Sequence, residues 1–90
     1  MIFSNSFFCT NAIASYDKAI ENQQNYSYAW YNKACCCSLQ GNTELAIENL
    51  QKAINLDKKH IEDAQTDTDF NKIRESDRFQ ELIYKQIERP

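Results

Sequence analysis

Apolar residues recur along this chain at helical spacing. Residues 12–20 read A-I-A-S-Y-D-K-A-I. Ala12, Ile13, Tyr16, Ala19 and Ile20 stand at i, i+1, i+4, i+7 and i+8, which lines them along one face of an α-helix. The pattern returns at residues 46–54, A-I-E-N-L-Q-K-A-I, with five of nine positions identical and Tyr16 replaced by Leu50. The offset is 34 residues, the length of one helical-hairpin unit in repeat architectures. The paired alanines let a neighbouring helix approach closely, and the larger residues fill the groove between helices.

Between the copies the pattern predicts another helix. Ser27 is the expected N-cap, because its hydroxyl can satisfy a free N–H of the first turn. The helix runs from Tyr28 to about Gln40 and ends at Gly41, the residue best suited to a left-handed C′ position. Asn42 then caps a helix expected over residues 43–56. The C-terminal third reads as shorter pieces. His60 to Ala64 is a short helix, and Asp67-Thr68-Asp69 is a break in which either Asp can cap. Phe70 to Ile73 is a second short helix. Ser76 caps a last helix carrying Phe79, Leu82, Ile83 and Ile87.

Residues 27–60 resemble a tetratricopeptide repeat. The signature Trp of that family falls on Trp30, the small crossing residue on Ala34 and the turn Gly on Gly41. In the second helix the family's small, large and small residues fall on Ala46, Leu50 and Ala53, and in the preceding copy on Ala12, Tyr16 and Ala19. Departures stand at Lys33 for the usual Leu, Cys37 for the usual aromatic, and Gln24 and Lys58 for the closing Pro. The resemblance implies an all-α, right-handed solenoid fragment of antiparallel αα-hairpins. Residues 1–26 would be an incomplete first repeat, 27–60 a complete one, and 61–90 a divergent third repeat of capping helices. That last stretch is similar to the closing segments that follow bacterial tetratricopeptide arrays. Only about half of the first repeat's opening helix, Met1 to Ser6, is expected. Ile2, Phe3, Phe7 and Phe8 would then lack their usual partners.

Composition narrows the function. The chain has 90 residues, 42% hydrophobic and 26% charged, enough for one small packed domain. It contains no Val and a single Gly, which disfavours a sheet protein. The net charge of −3 disfavours nonspecific nucleic-acid binding. No run of 18 apolar residues predicts a membrane span. The first residues lack the basic and long apolar regions of a secretory signal, so a cytoplasmic location is expected.

Candidate chemistry is sparse. Cys9 and the run Cys35-Cys36-Cys37 lack the C-x2-C pairs of a zinc site, and successive helical residues point about 100° apart. The expected role of these thiols is packing, with one reactive thiol as the alternative. Asp67-x-Asp69-x-Asn71 resembles the opening of a calcium loop, but Lys72 and Arg78 stand where Gly and Glu are needed, so the Asp residues are read as caps. His60 is the only histidine and is expected to be exposed or near a helix end. A chain with one Gly excludes the glycine-rich phosphate loops and the nucleophile elbow. No enzyme, cofactor or metal site is therefore expected.

The remaining expectation is binding. In the resembled family the first helix of each repeat lines a concave groove. Carried over, the groove residues are Tyr28, Tyr31, Asn32, Cys35, Ser38 and Leu39, with packing against the neighbouring helices as the alternative for Tyr31 and Leu39. Asn32 also falls where some members clamp a peptide carboxylate, but no partner lysines are identifiable. The expected role is a scaffold or adaptor that binds a peptide or protein in this groove. The alternatives are a self-associating subunit, paired through Met1 to Phe8 as a homo-oligomer, and a thiol-based sensor.

Overall fold

The two copies of the apolar stripe both form helices, and the segment between them forms the third member of the group. A computed structural model describes the backbone of residues 2–88 and the side chains of residues 8–84. Helix α1 spans Ile2–Asn22, α2 Ser27–Leu39, α3 Thr43–Leu56, α4 His60–Thr66 and α5 Asp77–Glu88. A single 3-10 turn, Thr68–Phe70, lies between the last two. The architecture is all-α, as the periodicity predicts.

The α2–α3 hairpin follows the sequence closely. Gly41 adopts φ +81°, and no atom lies within 4 Å of a Cβ placed there, so backbone conformation alone demands glycine. Its N–H donates to the Ser38 carbonyl at 2.9 Å, and the Asn42 N–H donates to the Cys37 carbonyl at 2.9 Å. This paired closure satisfies the last free carbonyls of α2. Asn42 then caps α3, accepting from the Leu45 N–H at 3.4 Å. Along the hairpin seam Ala34 and Cys37 of α2 and Ala46, Leu50 and Ala53 of α3 are fully buried. Small residues there let the two helices pack tightly.

The departures from the repeat pattern have visible partners. Lys33 forms an ion pair with Asp17 of α1 at 2.6 Å. Cys37 fills the seam where an aromatic was expected. The Gln24 carbonyl accepts the Trp30 indole N–H at 2.9 Å, tying the α1–α2 turn to the start of α2.

Three local expectations are corrected. The remnant Met1–Ser6 is not a separate helix. Helix α1 runs unbroken from Ile2, because Phe7-Phe8-Cys9-Thr10 holds no Gly or Pro to stop propagation. Ser27 is not the N-cap. Tyr26 holds that position with no side-chain bond, and Ser27 is already helical. Finally, Phe70 to Ile73 is not a helix but part of a run of three-residue turns, with Ile73 N–H donating to the Phe70 carbonyl at 3.0 Å and Ser76 N–H to the Ile73 carbonyl at 3.0 Å. The chain reverses here because Arg74 draws the end of α4 inward, as described below. Ser76 does cap α5, accepting from the Phe79 N–H at 3.3 Å.

Helix α5 packs against α3 and α4, and the 3-10 turn packs against α2. Phe70, Phe79 and Ile83 are completely buried and join the core around Ile54 and Ala64. The C-terminal third therefore shares one core with the hairpin.

Candidate functional site

The groove-facing side of α2 carries all six residues expected to contact a ligand, and the structure divides them. Tyr31, Cys35 and Ser38 are covered by the chain itself. The Tyr31 hydroxyl donates to Asp67 Oδ2 at 2.8 Å, and the Cys35 thiol donates to the same oxygen at 3.8 Å. The Ser38 hydroxyl donates to the Asp69 carbonyl at 2.7 Å. The segment around the 3-10 turn thus occupies much of the face assigned to a partner. Burial, then the bond to Asp67, pushes the Tyr31 phenol well above its ordinary range. Burial, followed by the charge of Asp67 and Asp69, does the same to the Cys35 thiol.

Tyr28, Asn32 and Leu39 remain accessible. Tyr28 stands apart, its ring edge-on to His60 at 4.9 Å and the Lys59 ammonium 5.1 Å from its centroid. Asn32 and Leu39 line a cleft of about 280 Å³ where α1, α2 and the 3-10 turn meet. Cys35 and Cys36 contribute from α2, Phe8, Cys9 and Tyr16 from α1, and Asp69 from the turn. The open part of the groove is therefore the α1–α2 side.

His60 lies at a helix end, as expected, but is not exposed. It begins α4 and is completely buried. Nε2 lies 3.0 Å from the Ser27 hydroxyl and Nδ1 lies 3.1 Å from Asp63 Oδ2. Its ring stacks on Tyr31 at 4.8 Å. Ser27 therefore spends its hydroxyl on a distant histidine rather than on its own helix. Both ring nitrogens have partners, so burial of the imidazole is compensated.

Asp67 is a cap, as expected: Oδ1 accepts from the Asp69 N–H at 3.0 Å. It also gathers Tyr31 and Cys35, which no local motif announces. The ligand atoms of Cys35, Asp67 and Asp69 lie within 4.8 Å of one another. Within this cluster the Cys35 thiol is hydrogen-bonded to Asp67 Oδ2 at 3.8 Å.

All four cysteines are free and buried. Cys36 is pushed up to about 12, first by burial and then by its contact with Cys9. Cys37 is also raised by burial, against a smaller opposing effect of Lys33. Thiolate is the reactive form, so DTNB at pH 7 should label the folded protein slowly and all four thiols rapidly once urea is added. One thiol labelled within seconds in the folded protein would restore the sensor reading.

The geometry is that of a helical hairpin with the segment around the 3-10 turn packed on one face of α2. Residues 27–60 match the family model of the tetratricopeptide repeat. No curated protein and no solved structure matches the chain. Such repeats are typically non-enzymatic scaffolds and support a general role in protein interaction. Among the described residues, no helix is long and apolar enough to cross a membrane.

Proposed function

We propose that this chain is a protein-interaction module that takes a segment of a peptide or protein partner in the cleft between α1 and α2. The observation that carries this reading is the cleft itself. It gathers Asn32, Cys35 and Leu39, three of the groove positions, beside the aromatic rings of Phe8 and Tyr16. Rings supply apolar area, and an amide can bond a peptide backbone. Residues 61–90 act as the closing segment, filling the rest of the groove through Asp67 and Phe70. The test is a peptide array probed with the full chain. Asn32→Ala and Leu39→Ala should weaken the best binders about tenfold or more, ~1.4 kcal/mol each. Tyr28→Ala, outside the cleft, should leave them unchanged. Equal binding by all three variants would sink the reading.

Self-association has one observation of its own. Ala46, Leu50 and Ala53 are fully buried, whereas their counterparts Ala12, Tyr16 and Ala19 in α1 are only partly so. A stripe that α2 covers in one copy is left open in the other. Of the segment Met1 to Phe8 expected to pair, only Phe8 has a described side chain, and it is 66% exposed. This reading requires a concentration-dependent dimer in sedimentation equilibrium that Ala12→Glu dissociates. A monomer at the highest soluble concentration removes it.

A further inference from the structure

The cleft is lined by a carboxylate that forms no ion pair among the described residues. That carboxylate is Asp69, and Asp67 lies directly behind. The donors that reach the Asp67 carboxylate are all neutral: the Tyr31 hydroxyl, the Cys35 thiol and the Asp69 N–H. Lys33, Lys72 and Arg74 bond to groups other than these two carboxylates. Lys33 pairs with Asp17, and Lys72 donates to the Leu39 carbonyl at 3.0 Å. Arg74 is spent on backbone carbonyls. Among the described residues, the ion pairs involve Asp17, Glu44 and Asp63, and neither Asp67 nor Asp69. Burial, then the neighbouring Asp67, raises the Asp69 carboxyl above its usual range, with Cys35 opposing. A carboxylate in that position gains from an incoming cation.

The walls fit the same ligand. Phe8, Tyr16 and Leu39 present apolar surface above the acidic floor. Lysine and arginine have this division, an apolar stem below a charged head. A cleft of about 280 Å³ has room for one long side chain. Resting on the interaction reading above, we propose that the cleft selects a partner segment by a lysine or arginine side chain. Its stem lies between Phe8, Tyr16 and Leu39, and its head meets Asp69 with Asp67 behind.

The test uses the full chain and three fluorescein-labelled peptides, alanine-based and identical except for Arg, Gln or Glu at the central position. Anisotropy should show the Arg peptide binding about tenfold tighter than the Gln peptide, with Glu weakest. Raising the salt should shrink that preference. Asp69→Asn should abolish the preference of the Arg peptide over the Gln peptide. The backbone bonds of Asp69 are kept in this variant, and a thermal melt checks its fold. A second variant, Leu39→Lys, places a tethered cation at the cleft and should weaken the Arg peptide about tenfold, where Leu39→Met does not. Arg preference that survives both charge variants overturns the inference. Equal binding of all three peptides, lost on Asn32→Ala, also overturns it while keeping the cleft as the binding site. Absence of binding by every peptide overturns both readings.

Discussion

Phe70→Ala should cost about 3–5 kcal/mol of stability, the range for emptying a buried aromatic site. Single small domains are stable by only about 5–15 kcal/mol, so the variant should be largely unfolded in mild urea. Phe70 is completely buried at the end of the 3-10 turn. Its ring meets Tyr31 edge-on at 5.6 Å and Phe79 at 5.7 Å. It therefore joins three elements at one point: α2 through Tyr31, the turn itself, and α5 through Phe79. Removing it leaves a cavity between elements rather than within one, so neighbouring atoms cannot refill it without undocking the turn. Phe70→Leu should retain more than half of the lost stability. Urea unfolding followed by circular dichroism and Trp30 fluorescence measures both. A loss below about 1 kcal/mol for Phe70→Ala would mean that the closing segment is not part of the cooperative unit.

The second large effect is expected at Arg74, which sequence patterns do not single out. Its guanidinium donates to the carbonyls of Ala64 at 3.0 Å, Gln65 at 2.9 Å and Asp67 at 2.6 Å. Nε donates to Asn71 Oδ1 at 3.3 Å, and the planar group lies 5.5 Å from the Phe79 ring centroid. One side chain thus reaches the Ala64 and Gln65 carbonyls at the end of α4 and the Asp67 carbonyl, which also accepts the Phe70 N–H. Arg74→Ala should destabilise by about 2–3 kcal/mol, since bonds to a charged donor are worth more than neutral ones. Arg74→Lys should recover less than half, because an ammonium cannot present the fork that reaches three carbonyls at once. The shift should appear in the urea midpoint with the slope unchanged. Full recovery by lysine would show that charge, and not the fork, is what the turn needs.

These two residues mark where local reasoning stops. The hairpin was legible because its determinants are neighbours in sequence. Gly41 donates to a carbonyl three residues back, Asn42 donates to one five residues back, and Asn42 caps an N–H three residues on. The alanine stripes of α1 and α3 repeat each other at a fixed offset. The capping roles of Asp67 and Ser76 were legible for the same reason. Ser27, His60 and Tyr31 were not. Ser27 looks like an N-cap until His60, 33 residues away, takes its hydroxyl. Tyr31 looks like a ligand contact until Asp67, 36 residues away, accepts its proton.

The groove illustrates the division most clearly. The sequence by itself determined that a hairpin forms and which residues fill its seam. Helical period, cap chemistry and one left-handed glycine are enough for that, because each acts within a few residues. Only the tertiary structure decided that the groove is half closed from within. The 3-10 turn is seated there by Phe70 packing and by the Arg74 fork, and both depend on partners in other elements. That seating buries Tyr31, Cys35 and Ser38 and brings Asp69 to the floor of the remaining cleft. The open face and its charge are consequences of long-range packing, which no local pattern of apolar and polar positions encodes.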